Sequence, residues 1–283
     1  MPTKNNSLDK MLILHFLSKF KLHLPVDTLH VFEAIDSTNC FLKSLTLPKD
    51  TGIVACCAET QTAGRGRLGR QWISLPGENV YFSLRYPLPR QMPNLASLSL
   101  VAGLATLSAL KKITQLFSNN VSKTQIQLKW PNDLFWDNKK LGGILVELIG
   151  STEANPAVVI GIGLNVSLSK KDEKTPAITP QKPWSSLDEF TSGPFNRNEF
   201  IAYLIYTLDH TIDRFKEQGF LSFLPEWTSV DYLNARKISV LGPNGQIDGI
   251  ACGVNAQGQL LVKDNQGTFH ALSSGEASLQ LPI

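Results

Sequence analysis

The sequence predicts an α/β (α+β) protein in two unequal parts, and three observations predict it. Strand-like runs alternate with apolar or amphipathic helical runs as far as Trp227. Beyond that residue only short strands separated by turns remain. The chain has 283 residues, 42% of them hydrophobic, which suffices for one large core with a small unit beside it. The expected division is a short N-terminal segment (1–29), a large unit (30–226) and a small C-terminal unit (227–283).

The elements follow in order. Residues 11–20 are apolar but interrupted by His15 and Lys19, and no small-residue cleavage site follows. No uncharged stretch approaches the ~18 to 20 residues needed to cross a bilayer, so no membrane partner is expected and the chain should stay in the cytoplasm. Asp36-Ser37-Thr38-Asn39 supplies polar caps ahead of Phe41, Leu42 and Leu45, a helix start. Small and β-branched residues over 52–59 predict a buried strand, and 79–86 a second. Residues 95–113 are apolar with small residues on most faces, as in a well-buried helix. Residues 126–130 alternate like a strand and stop at Pro131, and 134–136, 137–140 and 141–148 read as strand, turn and strand. A further strand over 157–166 is expected to be broken by Gly161 and Gly163, and 169–183 reads as a mobile surface loop.

Over 197–217, Phe200, Leu204, Leu208, Ile212 and Phe215 form one helical stripe, with Asn196 and Glu199 as caps. The C-terminal strands are expected over 237–241, 246–251, 259–263 and 268–272, separated by turns such as Pro243-Asn244-Gly245 and Gln257-Gly258. Together they make an all-β module of about 50 residues, near the lower size of a domain.

Composition excludes some classes. The formal charge of +3 is small, whereas nucleic-acid binders concentrate a stronger basic excess on one face. Four cysteines (Cys40, Cys56, Cys57, Cys252) form no CxxC pair and no zinc-spaced cluster with histidine. Adjacent Cys56 and Cys57 should point to opposite faces of a strand as reduced, hydrophobe-like thiols, which suits a reducing compartment.

Gly64-Arg65-Gly66-Arg67-Leu68-Gly69-Arg70 carries the strongest chemical signal. Its glycines allow close backbone approach to a ligand, its arginines offer charged forks for carboxylate or phosphate, and its successive N–H groups can form an anion nest. A disordered RNA-binding tract is the other reading, but such tracts recur in low-complexity sequence and this copy stands alone between strands. Lys129-Trp130-Pro131-Asn132-Asp133 is the second signal. Alternation with Leu128 puts Lys129 at a cleft, where it could meet phosphate charge, or leaves it a solvated strand lysine. Gly142-Gly143-Ile-Leu-Val-Glu147 and Gly161-Ile-Gly163-Leu-Asn165-Val let backbone approach a flat ligand or simply another strand. No G-x-G-x-x-G fingerprint and no Walker-type loop is present.

In their joint order, Asp36-Ser-Thr-Asn39, Gln61 before Gly64–Arg70, Lys129–Asp133, Lys140-Leu-Gly-Gly143, Gly161–Asn165 and the ending Gly275-Glu276-Ala277-Ser278-Leu279 closely resemble the biotin protein ligase family. The resemblance covers roughly residues 30–283. It implies a central mixed β-sheet domain flanked by helices, as in class II synthetase-like biotin and lipoate ligases, followed by an SH3-like β-barrel. It implies ATP, biotin and Mg2+ as substrates and metal. Biotin would be activated to biotinyl-5′-adenylate and passed to a lysine of a biotin carboxyl carrier protein, such as an acetyl-CoA carboxylase subunit.

By position, the resemblance assigns Ser37, Thr38, Asn39 and Gln61 to the biotin head. Arg65, Gly66 and Arg67 would close over its carboxylate, and Lys129 would bridge carboxylate and phosphate, with Lys129, Arg67 and Arg65 as the catalytic set. Trp72 and Asn165 would meet the adenine and Lys140 the phosphates, with Arg70 and Asn132 completing the adenylate contacts. No metal ligands are assigned.

Two departures bear on these expectations. Some members carry an acidic residue shortly before the lysine strand as a base for the second step; Ser122-Lys123-Thr124 stands there, leaving that base unassigned. Others repress transcription through an N-terminal winged helix. Only a short stretch precedes Asp36, less than the ~50 residues of a domain, so a monofunctional ligase without a DNA partner is expected. The family leaves a homodimer open. A lipoate protein ligase is the nearest alternative, although its arginine-rich glycine triplet is missing. A nucleic-acid-binding, biotin-responsive regulator is the second.

Overall fold

Period-two alternation sorts β2 (Ile53–Gln61) into two faces. Ile53, Ala55 and Cys57 join the main apolar cluster, while Val54 and Cys56 join a smaller one with Leu42 and Val159. Burial pushes the Cys57 thiol up to about 12 and the Cys56 thiol higher, so both behave as small hydrophobes. The computed structural model describes residues 7–48, 50–75, 77, 79–89, 97–114, 125–149, 156–167, 183–191, 194–242 and 245–280. The loop expected over 169–183 lies outside them except for Pro183, as do Ser122-Lys123-Thr124, Pro243-Asn244 and the first two residues of the helix expected over 95–113.

β2 pairs in parallel with β1 (Val26–Ile35) and antiparallel with β3 (Val80–Pro87). The parallel pair needs a crossover, which α2 (Thr38–Ser44) supplies. The remaining strands are β4 (Gln127–Lys129), β5 (Asp133–Trp136), β6 (Lys139–Ile149) and β7 (Ala157–Leu164), giving a seven-stranded mixed sheet in the order β1-β2-β3-β7-β6-β5-β4. β1 crosses the division expected at residue 30. Ahead of it, α1 (Lys10–Leu17) packs against α4 (Arg197–Gln218) through buried Ile13 and Leu17. α3 (Leu98–Thr114) lies beside α4 over the same main cluster, and α5 (Leu224–Val230) adds Trp227 and Val230 to it. The α4 stripe is buried as expected, and the Asn196 side chain accepts from the Glu199 N–H at 3.1 Å.

Two local features decide where the site falls. Asp137 and Asn138 have φ of 47° and 59°, a two-residue turn that these short polar side chains tolerate. β6 therefore starts at Lys139, two residues into the turn expected over 137–140, and Lys140 belongs to the strand. β7 is continuous, contrary to the break expected at Gly161 and Gly163. It is hydrogen-bonded along its length to both β3 and β6, so the glycines change its face and not its pairing.

β8 (Lys237–Gly242), β9 (Gly245–Val254), β10 (Leu260–Asp264), β11 (Phe269–Leu272) and β12 (Glu276–Leu279) form a C-terminal antiparallel sheet in the order β11-β10-β9-β8-β12. Closure into a barrel is not part of that pairing. Ile238, Val240, Ala251, Leu260 and Val262 are continuous with the main core, and the Trp130 indole N–H donates to the Gly258 carbonyl at 3.1 Å. The second sheet is thereby tied to the segment that carries Lys129.

Candidate active site

A cleft opens across the sheet between the end of β2, the 62–72 loop, the β4–β5 turn and the start of β12. Its inner end is polar. Ser37 caps α2, its hydroxyl accepting from the Cys40 N–H, which leaves Thr38 and Asn39 at the first helical turn facing the sheet. The Gln61 Oε1 accepts from the Thr38 N–H at 2.9 Å and lies 3.1 Å from the Thr38 hydroxyl. Ser83 on β3 sits 2.7 Å from the Thr38 hydroxyl and 2.6 Å from Asn39 Oδ1. Asn39 Nδ2 donates to Glu147 Oε2 at 2.9 Å and toward the Leu145 carbonyl at 3.3 Å. A Cβ on Gly161 would lie 2.2 Å from Asn39 Oδ1, so that glycine is required by the side chain above it.

The Gly64–Arg70 loop folds back on itself, with Gly66 N–H donating to the Arg70 carbonyl at 2.7 Å and Trp72 N–H to the Gly64 carbonyl at 2.9 Å. Leu68, at its tip, is 80% exposed with φ 55°. Arg65 NH1 lies 3.3 Å from Cys40 Sγ and 3.5 Å from Glu147. Arg67 reaches Asn132 Oδ1 at 3.3 Å; burial pulls its pKa down, against the pull of Asp133. Arg70 pairs with Glu276 of β12, and that hydrogen bond raises its pKa.

Lys129 ends β4 and is only 7% exposed, its Nζ 5.0 Å above the Phe135 ring. The solvated-lysine reading does not survive that burial. Lys140 Nζ pairs with Asp133 Oδ1 at 2.7 Å and stands 5.4 Å above the Trp72 ring. The indole itself rests on glycine: a Cβ on Gly163 would come within 2.5 Å of it and one on Gly143 within 3.1 Å. Gly161 therefore serves Asn39, and Gly143 and Gly163 serve Trp72, whereas Gly142 is a strand-packing glycine, where a Cβ would meet the Gly163 carbonyl at 2.8 Å. Asn132 is held in the β4–β5 turn, its Nδ2 donating to the Ile144 carbonyl at 2.8 Å.

Of the residues expected at the site, Ser37, Thr38, Asn39, Gln61, Arg65, Gly66, Arg67, Arg70, Trp72, Lys129, Asn132 and Lys140 all line this cleft. Asn165 does not. It is buried, and its Nδ2 donates to the Ser185 carbonyl at 3.0 Å and toward the Lys140 carbonyl at 3.4 Å, so it braces the backbone behind Lys140. Four further groups were given no role from the sequence: Ser83, and Asp133, Glu147 and Glu276, which lie within the motifs read there. Glu147 could have been found from its two-residue spacing to Leu145 on the same strand face. Ser83 carries no signal in a strand of apolar neighbours.

Five cationic side chains (Arg65, Arg67, Arg70, Lys129, Lys140) line the cleft against two carboxylates, Asp133 and Glu276. Among the described residues no cluster of histidine, cysteine and carboxylate could hold a metal on its own. A polar pocket continuous with an excess of cations suits the joining of two anions, one with a neutral polar head. That is a ligase-type site.

Comparison with known proteins agrees. The family model described as Biotin/lipoate A/B protein ligase family matches residues 31–165. The Bifunctional ligase/repressor BirA of Salmonella typhimurium is 32% identical over 99% of this chain and 83% of its own length. The Biotin--[acetyl-CoA-carboxylase] ligase of Mycobacterium tuberculosis is 32% identical over 79% of this chain and 77% of its own. Among solved structures, the biotin protein ligase from Aquifex aeolicus in complex with biotin and ATP superposes with a TM-score of 0.72 at 31% identity, covering 90% of this chain and 99% of that one. The chain belongs to the Biotin/lipoate A/B protein ligase family, and it is a ligase.

Proposed function

We propose that this ligase activates biotin with MgATP to biotinyl-5′-adenylate and then transfers biotin to a lysine of a biotin carboxyl carrier protein. The observation that carries the reading is the continuity of the cleft. The polar pocket of Thr38, Asn39 and Gln61 opens directly onto Arg67, Lys129 and Lys140. A bicyclic urea head fits the first part, and its acid tail then reaches the cations.

In the first step a biotin carboxylate oxygen attacks the α-phosphorus, and pyrophosphate leaves. Arg65 and Arg67 neutralise the incoming carboxylate and the Gly64–Arg70 loop closes over it. Lys129 and Lys140 draw charge from the phosphate oxygens, Trp72 and Asn132 flank the nucleotide, and Arg70 lies at the outer rim. Holding both anions at contact replaces an effective molarity of order 10⁵ to 10⁸ M, so no protein nucleophile is needed. In the second step the neutral amine of the carrier lysine attacks the anhydride carbonyl and AMP leaves. Exclusion of water by the closed loop protects the adenylate between steps. Mg2+ arrives with ATP. Such ions keep several waters and take one or two carboxylates, and Asp133 is the carboxylate nearest the phosphate-binding lysine.

The reading includes a cytoplasmic location, supported by four unpaired cysteines, and a chain in which no described helix is long and apolar enough to cross a membrane. ATP–pyrophosphate exchange with biotin and lipoate side by side tests the substrate. Exchange driven by biotin alone is expected; exchange driven by lipoate alone would reverse the assignment.

A further inference from the structure

We infer that Glu147 is a positioning residue for head recognition: it holds the Asn39 amide in the one orientation that turns its oxygen into the cleft. The site thereby selects a ligand head with an N–H donor at that point. The inference rests on the biotin reading above.

Hydrogen-bond polarity fixes that orientation. Asn39 Nδ2 faces Glu147 Oε2 at 2.9 Å and the Leu145 carbonyl at 3.3 Å. Neither an ionised carboxylate nor a carbonyl can donate. Rotating the amide by half a turn would set its oxygen against both, so the NH2 must face β6 and the oxygen must face away. On that side Oδ1 lies above bare Gly161, on the cleft wall, with the Ser83 hydroxyl at 2.6 Å. An amide oxygen has two acceptor sites. Ser83 occupies one, and the other is offered to the ligand.

Glu147 is itself fixed. Lys43 Nζ donates to its Oε1 at 2.7 Å and Arg65 NH1 lies 3.5 Å from the same oxygen, with the carboxylate side chain 16% exposed. Burial pushes the carboxyl up, but the hydrogen bonds from Lys43 and Asn39 and the charges of Lys43 and Arg65 bring it below its ordinary range, so it stays ionised and an acceptor. A charge-assisted hydrogen bond is a stiffer restraint on the amide than a neutral one. Arg65 stands farther off and its side chain is 46% exposed, so that contact is screened and adds little beside the Asn39 bond.

The test measures biotin KM and kcat in pyrophosphate exchange, with biotin Kd by calorimetry, for Glu147→Ala, Glu147→Gln, Asn39→Ala and the Asn39→Ala/Glu147→Ala pair. Glu147→Ala should raise biotin KM and Kd about tenfold, the scale of one hydrogen bond to a charged group, with kcat within about twofold. Glu147→Gln can still accept from Asn39 through its amide oxygen and should recover most of the loss. In the Asn39→Ala background, removing Glu147 should add less than about twofold, because its effect travels through Asn39. An unchanged KM, a fall confined to kcat, or an equal effect in both backgrounds would overturn the inference. If Glu147→Ala does not fold, Glu147→Gln decides: a loss as large as that of Asn39→Ala would contradict the orientation argument. Wild-type protein without any biotin-dependent exchange would remove the substrate reading instead, a distinguishable result.

Discussion

Two glycines two residues apart on β7 should fail in opposite ways when given a methyl group. At Gly161 the added Cβ would stand 2.2 Å from Asn39 Oδ1 and 2.9 Å from its Cγ. An ordinary contact is about 3.5 Å, so Asn39 must retreat by roughly 1 Å. That retreat stretches its contacts to Ser83 (2.6 Å) and Glu147 (2.9 Å) together. A misplacement of that size in a positioning group is worth about 10²-fold, and Gly161→Ala should weaken biotin binding on that scale while ATP affinity stays within about threefold. At Gly163 the Cβ would stand 2.5 Å from the Trp72 indole and leave Asn39 alone. Gly163→Ala should therefore weaken ATP binding by about tenfold or more and spare biotin. Calorimetric titration of each variant with biotin, and with an ATP analogue that cannot be cleaved, reads both effects directly. The reasoning is refuted if both variants weaken the same ligand, or if Gly161→Ala binds biotin normally.

Other substitutions probe the cations and the charge network. Arg67→Gly should leave some adenylate synthesis but release the intermediate into solution; tight retention of labelled adenylate on a gel-filtration column would contradict its place beside the anhydride. Lys129→Ala should lower adenylation by about 10² or more, the scale of one preorganised electrostatic donor, and a near-normal rate of pyrophosphate release would count against the role. Glu276→Ala frees Arg70 and should raise the KM for ATP only a few-fold, because their pair is largely exposed and screened; a 10²-fold rise would show that β12 does more than steady the loop. For pH, the Glu147 carboxyl is held below its unfolded value, so its contribution is present above the ordinary carboxylate pKa and fades as pH falls through the depressed one. Biotin affinity should thus hold from neutral pH into the acid range, and Lys43→Met should move its fall to higher pH. An unmoved profile would exclude Glu147 as the group titrating.

The fold was legible where burial is one-sided or complete. The stripe on α4, the small and β-branched run of β2 and the Ser37 cap each carry a local pattern that tertiary contacts reinforce. β1 has no such pattern. Among the described residues it is an edge strand pairing with β2 alone, and apart from buried Leu29 its residues are half-buried or exposed. β12 escaped as a strand because only Ala277 of its four residues is buried. At the site, the arginines, lysines and head residues were legible as types at a spacing, and twelve of the thirteen expected residues, all but Asn165, share one cleft. Asn165 lies outside that lining for a physical reason: its Nδ2 donates to carbonyls of Lys140 and Ser185. Gly143, Gly161 and Gly163 could not be resolved from sequence, since the Asn39 and Trp72 side chains that need them come from distant elements. Glu147 was hidden in an apolar strand, its partners 104 and 108 residues away.

The central claim is that one cleft holds a neutral head against Asn39 and Gln61 and brings its acid tail to Arg67 and the two lysines. A crystal structure with a hydrolysis-resistant analogue of biotinyl adenylate tests it most directly. The account predicts the urea against Asn39, and Arg67 and Lys129 or Lys140 within about 3 Å of the linkage oxygens. An analogue bound with its head elsewhere, or with those cations turned away from the phosphate, would contradict it.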